Sequence, residues 1–399
     1  MEQGKVLECK AYWDEAGKLF SSLPIGTPEI LDSMEKVPAA LKEQKVSSVC
    51  VVTDKGILAA GLLDGLQAAL TEAGIATAIY DGVVPNPTVA NVEAAREVYL
   101  SHQCNGILAL GGGSVMDCAK VMAARVAAPD TPVMDMLGLY APQSPLPPFI
   151  AIPTTAGTGS ETTIAAIITT DEDHRKLIVM AVEFIPAYAV LDPKLTLGLP
   201  KAITAATGMD ALAHAVESYI GTFRTEYSDA KAIEAVQGVK AYLKRAYDNG
   251  ADEAAREGML LASHNAGISF TRGFVGYVHS IAHTLGSVYN MPHGLAIAIT
   301  MPYVLEACGE SIYESLGDLA IRCGIAPAEA QDKEAALAFI DWVKELNASM
   351  GIPSVADCLK EEDIPAMAAM ADEEANPTYP VPLRMDAEEL AAIYRKMLP

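Results

Sequence analysis

The first half of the chain alternates short β-branched apolar runs with segments whose apolar residues recur at helical spacing, the pattern of a parallel sheet covered by helices. Val49 to Asp54 reads as a strand followed by a helix over Ile57 to Ala73. Thr77 to Val84 and Thr88 to His102 form the next strand and helix, and Gly106 to Leu110 runs through three glycines into a helix from Ser114 to Ala127. Phe149 to Thr155 and Tyr188 to Leu191 are further strands, and Ala165 to Thr170 with Lys176 to Ala181 reads as a hairpin about the polar Asp171 to Arg175. After Leu199 the texture becomes Ala-rich and periodic, which predicts a helical domain ending in a helix over Asp386 to Met397. The expected organisation is an α/β domain over 1–197 and an all-helical domain over 198–399.

Charge narrows the possible partners. The 399 residues carry 28 Lys and Arg against 51 Asp and Glu, a net charge of −23 that argues against a nucleic-acid partner, since such binding rests on basic residues neutralising phosphates. A hydrophobic fraction of 51% excludes disorder as the main state. No Lys, Arg, Asp or Glu occurs between Arg272 and Glu306, but His279, His283, Asn290, Pro292, His293 and Pro302 interrupt that stretch, so it reads as a buried segment and not a membrane span. The seven cysteines are scattered with no C-x-x-C pair and read as reduced thiols, and Met1 to Asp14 lacks the apolar core of a signal peptide, so the expected location is the cytoplasm.

Two loops at predicted strand ends have the makings of a nucleotide site. Gly111, Gly112 and Gly113 sit between a strand and a helix, where bare backbone N–H groups approach an anion at the positive helix end. Read locally, the same residues make a tight βα turn in which Ser114 caps the helix and Asp117 closes a capping box. The loop Pro153 to Glu161 is rich in hydroxyls and glycine and follows another strand. In open α/β sheets ligands bind at that edge.

The helical half carries the sharpest signal. Asp210 and His214 are four apart, His279 and His283 repeat the spacing, and His293 follows in MPHG; five of the seven histidines fall between 214 and 293. Three imidazoles and a carboxylate suit a divalent transition metal with an open position for a substrate oxygen. Each histidine taken singly reads better as a hydrogen-bonded core residue; it is the set, in an uncharged and buried stretch, that points to a metal.

The blocks GGGSVMDCAK, PTTAGTGSET, GMDALAHAVES and VHSIAHTLGSVYNMPHGLAIAI, in order between Val49 and Pro302, resemble the signature of the iron-containing, group III alcohol dehydrogenases. The resemblance implies an N-terminal Rossmann-like dinucleotide-binding domain and a C-terminal helical metal-binding domain, the dehydroquinate synthase-like architecture. It implies Asp210, His214, His279 and His293 as ligands, usually of Fe(II), with Zn(II) an alternative, and His283 as a nearby non-ligand suited to proton relay. For the cofactor it implies Gly111, Gly112, Gly113 and Ser114 at the pyrophosphate, with Asn86, Asp117, Thr154, Thr155, Thr158, Thr163, Lys176 and Leu195 along the dinucleotide. Asp54 matches the position that holds the adenosine ribose hydroxyls, and a carboxylate there repels a 2′-phosphate, so NAD(H) is expected over NADP(H). The implied activity is interconversion of a small primary alcohol or diol with its aldehyde, in a homodimer or higher homo-oligomer. The competing readings are a zinc polyol dehydrogenase of the glycerol dehydrogenase type and a catalytically silent nucleotide- or metal-binding protein.

Overall fold

A computed structural model describes residues 15–20, 22–172 and 175–399. The signal-peptide reading of Met1 to Asp14 and the thiol reading of Cys9 lie outside the described residues. Two compact units emerge, Pro24–Gly198 and Leu199–Pro399, the latter joined by the described residues before Pro24. That segment departs from the expectation that 1–197 form one domain, because the Phe20 ring packs edge-on against Phe274 of the helical unit at 4.6 Å between centroids.

The α/β unit is built on a six-stranded sheet in the order β1-β9-β6-β4-β2-β3, all neighbours parallel. Its strands are β1 (Glu29–Leu31), β2 (Ser48–Val52), β3 (Ala76–Tyr80), β4 (Gly106–Gly111), β6 (Phe149–Pro153) and β9 (Tyr188–Val190). A three-stranded sheet pairs β5 (Gly138–Leu139) with β8 (Lys176–Met180), and β8 antiparallel to β7 (Ala165–Thr169), the expected hairpin. The helices are α1 (Val37–Glu43), α2 (Lys55–Ala59), α3 (Asp64–Glu72), α4 (Val89–Ser101) and α5 (Gly113–Ala127).

The central strands are apolar throughout because both sheet faces are covered. Cys50, Val52, Ile107, Ala109, Phe149 and Ala151 point into one core with residues of α4 and α5. Their alternates Val49, Val51, Leu108, Leu110, Ile150 and Ile152 point into a second core with α1 and α3. Along the chain β2 leads outward to β3, and β4 then returns to the other side of β2. That reversal opens the crevice where such sheets bind ligands.

Two local expectations fail for identifiable reasons. The helix expected over Ile57 to Ala73 is two helices, α2 and α3, separated by a turn in which Gly61 takes φ +69°. The capping box of Ser114 and Asp117 does not form: α5 starts at Gly113, Gly112 is its cap, and there is no side-chain cap bond.

The helical unit comprises α6 (Lys201–Ile220), α7 (Glu226–Asp248), α8 (Glu253–Gly273), α9 (Tyr277–Tyr289), α10 (His293–Cys308), α11 (Tyr313–Arg322), α12 (Asp332–Ser349), α13 (Ile364–Ala375) and α14 (Ala387–Lys396). Every residue of α6 from Gly208 to Ile220 is buried, so polar groups on this helix require partners. The uncharged stretch is α9 and most of α10. By length and composition alone the helical run 293–322 is apolar enough to cross a membrane, and 61% of its most apolar window is buried within the fold. The six cysteines among the described residues are free thiols, five of them buried.

Candidate active site

The metal-type cluster is assembled from three helices. On α6, Asp210, His214 and Glu217 recur at intervals of four and three residues and share one face. α9 supplies His279 and His283, and His293 is the first residue of α10. One donor atom from each of Asp210, His279 and His293 lies within 4.8 Å of the others. The Nε2 atoms of His293, His279 and His214 stand 3.3, 3.8 and 3.9 Å from Asp210 Oδ1. His214 is thus adjacent but outside the tightest group of three; its ring stacks on Phe270 at 4.0 Å and on His279 at 4.6 Å.

The donor atoms behave as a cation site requires. Asp210 Oδ1 and His279 Nε2 are buried and have no hydrogen-bond partner, an arrangement that is costly unless an ion takes the place of the missing donor. Burial works against the Asp210 charge, but His214, His293 and His279 together outweigh it and hold the carboxyl below its usual range. Burial pulls His214 down to about 3, and it holds His279 well below the ordinary imidazole value. The set therefore presents a carboxylate and neutral imidazoles, the protonation states that ligate metals. His279 Nδ1 hydrogen-bonds Glu217 Oε2, while Glu217 Oε1 accepts the Val278 N–H at 2.7 Å. That carboxylate fixes which His279 nitrogen faces the cluster, and burial lifts Glu217 to about 7 against the Gly276 and Val278 amides.

His283 has a different neighbourhood. Its Nδ1 is 2.6 Å from Glu374 Oε1, on α13, and the Tyr379 hydroxyl donates to the same oxygen at 2.7 Å. The His283 ring stacks against His293 at 5.3 Å.

In the α/β unit most of the candidate cofactor residues lie at the carboxyl ends of β2, β4 and β6. Gly111 pairs in register with Pro153, and Thr154 N–H donates to Gly111 O at 3.1 Å, so the glycine loop and the threonine loop lie side by side. A Cβ on Gly113 would meet Thr158 Cγ2 at 2.9 Å, so only glycine leaves this approach open. Thr155 is half-buried and Thr154 buried in the same loop; Ser114 is half-buried in the first turn of α5. Asp54 follows β2, is half-buried, and caps α2 by accepting the Ile57 N–H at 3.0 Å. Asn86 takes the left-handed φ of +55° in the loop after β3, and Lys176 opens β8 exposed.

Three residues expected along the dinucleotide also have partners inside the fold. Asp117 is spent inside the fold, accepting Ser160 Oγ at 3.0 Å and the Ile167 N–H at 3.1 Å. Thr163 is buried, its hydroxyl 2.9 Å from Lys120 Nζ. Leu195 is 3% exposed and its side chain lies in the core with Leu31 and Val190. Asp117 and Lys120 brace the threonine loop from behind: the Lys120 ammonium also donates to Ser160 O at 2.6 Å, Thr163 O at 2.9 Å and Ala165 O at 3.0 Å. The spacing that suggested a helix cap for Asp117 is the one that aims it off α5 toward this loop.

Glu217, Glu374 and Tyr379 were not singled out from the sequence. Glu217 had a legible signal, seven residues beyond Asp210 on one helical face. Glu374 lies 91 residues from His283 and had none.

Comparison with known proteins agrees over most of the chain. A profile described as iron-containing alcohol dehydrogenase matches residues 31–193, and one described as the C-terminal part of the Fe-containing alcohol dehydrogenase family matches 204–398. Alcohol dehydrogenase 4 of Schizosaccharomyces pombe is 38% identical over 370 residues, covering 90% of this chain and 85% of that protein. The 1,3-propanediol dehydrogenase of Klebsiella pneumoniae is 38% identical over 350 residues, covering 87% and 90%. The crystal structure of sulfoacetaldehyde reductase from Bifidobacterium kashiwanohense in complex with NAD+ superposes with a TM-score of 0.83 at 27% identity, covering 94% and 97% of the two chains.

Proposed function

The chain belongs to the iron-containing alcohol dehydrogenase family, and from that premise we propose that it is an NAD(H)-linked, Fe(II)-dependent enzyme interconverting a small primary alcohol or diol with its aldehyde. The observation that carries the metal is the pair of buried, partnerless donor atoms on Asp210 and His279, facing His293. A divalent ion, when bound, polarises the alcohol or carbonyl oxygen. A nicotinamide held by the glycine and threonine loops would supply the hydride acceptor or donor for the carbon that bears that oxygen.

The chain's own residues supply the remainder. Asp210, held ionised, offsets part of the cation's charge. Glu217 keeps the His279 imidazole turned so that Nε2 serves as a ligand. His214 completes the family ligand set beside Asp210. His283, outside that set, handles the hydroxyl proton, with its Nδ1 anchored on Glu374. Backbone amides at Gly111 to Ser114 take the pyrophosphate at the start of α5. Asp54 favours NAD(H), because a carboxylate near the adenosine ribose disfavours a 2′-phosphate, and the NAD+ complex of the sulfoacetaldehyde reductase supports that choice. The same reading puts the enzyme in the cytoplasm as a homodimer or higher homo-oligomer, without nucleic-acid or membrane partners.

Zinc is the alternative metal, because a histidine-carboxylate set binds it at least as tightly as iron on intrinsic affinity. The test is NADH oxidation by anaerobically purified protein reconstituted separately with Fe(II) and Zn(II), across short aldehydes including propionaldehyde, butyraldehyde and lactaldehyde. Turnover with iron that a chelator abolishes is expected. NADH binding without turnover of any aldehyde, at full metal occupancy, would overturn the proposal in favour of a silent binder.

A further inference from the structure

We propose that Glu374, with Tyr379 behind it, is a positioning residue that fixes the tautomer and orientation of His283. The inference deepens the preceding reading, since it rests on the proton-handling role given there to His283.

The contact at 2.6 Å between His283 Nδ1 and Glu374 Oε1 is short enough to be charge-assisted. A carboxylate accepts and does not donate, so the proton of the neutral ring resides on Nδ1 and Nε2 is left as the proton acceptor. Tyr379 donates to the same Oε1 at 2.7 Å from a buried position, which holds that oxygen in place. Burial and the adjacent Glu374 charge drive the Tyr379 phenol well above its ordinary value, so it remains a donor.

The carboxylate is held there by the fold. Glu374 lies near the end of α13, and the chain beyond is tied back to α9, the helix of His283. Tyr277 Oη donates to Asn376 Oδ1 at 3.0 Å, and the Met385 N–H donates to Tyr277 Oη at 2.8 Å. Asn376 Nδ2 bridges Asp372 Oδ1 at 2.7 Å and Met385 O at 2.9 Å. Glu374 is thus presented to α9 by a closed set of hydrogen bonds. At an enzyme surface an isolated imidazole samples both tautomers, and only one can accept a proton through Nε2. A carboxylate on Nδ1 removes the unproductive form.

The experiment uses the full-length metal-loaded enzyme. Glu374→Ala is expected to lower kcat by about tenfold to a hundredfold, with aldehyde KM and metal content unchanged. Glu374→Gln, whose amide oxygen still accepts from Nδ1–H, retains more of kcat than the alanine variant. In a His283→Ala background, Glu374→Ala has no further effect. Independently of turnover, nitrogen-15 histidine NMR of the zinc-loaded protein, with the His283 signal assigned by its loss in His283→Gln, is expected to show Nδ1–H in the wild type and a shift toward Nε2–H in Glu374→Ala. An unchanged tautomer in Glu374→Ala, full loss of kcat persisting in the His283→Ala background, or loss of metal in Glu374→Ala would each overturn the proposal. If His283→Ala leaves kcat intact, the proton role of His283 fails, while the tautomer measurement still decides what Glu374 does.

Discussion

Asp210 holds the buried negative charge around which the imidazoles gather. Asp210→Asn keeps its shape but removes that charge, and the variant should lose bound metal and melt at the temperature of the chelated wild type, because an ion that binds only the folded state stabilises it by mass action. Elemental analysis and calorimetry check this; retained metal would remove Asp210 from the ligand set. His279→Ala should likewise abolish metal and activity while leaving NADH binding measurable by fluorescence, since the glycine and threonine loops lie in the other unit. The site also sets an acid limit. In the metal-free protein His214 takes a proton only near a pKa of about 3, whereas the unfolded chain takes it near the ordinary 6.5. Between those values the unfolded state binds more protons, so His214 makes stability fall as pH drops from 6.5 toward 3. Urea midpoints at a series of pH values should fall more steeply for wild-type apoprotein than for His214→Leu, and parallel curves would sink the assignment.

Among the elements, the two loops of the nucleotide unit are made by packing against each other as much as by their own sequences. Lys120 is fully buried at the back of the threonine loop, donating to three backbone carbonyls. Lys120→Met strands those acceptors and should cost about 3 kcal/mol of stability, with a raised KM for NADH from a loosened loop; an unaltered denaturation midpoint would refute the bracing role. Gly113→Ala tests the other loop. Its added Cβ meets Thr158 at 2.9 Å, so the two loops must part, and NADH affinity should weaken while metal content stays normal.

The whole molecule carries a net charge of −23, mostly on its surface, and this works against compaction through self-repulsion. Raising ionic strength from about 10 mM to about 150 mM shortens the screening length from about 30 Å to about 8 Å, so the melting temperature should rise over that range. A melting temperature independent of salt would mean that opposite charges are already locally balanced. At this scale the sequence also grouped one segment differently: composition gives no reason to join the described residues before Pro24 to the helical unit, and packing such as that of Phe20 on Phe274 does so.

The sequence by itself determined most of the elements and their order, though not the break between α2 and α3, because hydrophobic periodicity is a local property: apolar on both faces in β2, β4 and β6, and helical spacing from Lys201 onward. It also showed a cluster of candidate donors, since Asp210 and His214, and His279 and His283, are each one helical turn apart, while the pattern of blocks pointed to the family and, through it, to which of them would be ligands. Tertiary structure decided what spacing cannot encode. It joined His293, on a third helix, to Asp210; it tied Asp117 and Thr163 to the back of the threonine loop and packed the Leu195 side chain into the core. Tertiary structure alone brought Glu374 and Tyr379 to His283, because partners about ninety residues apart leave no periodic trace in the chain and meet only when α13 is tied back onto α9.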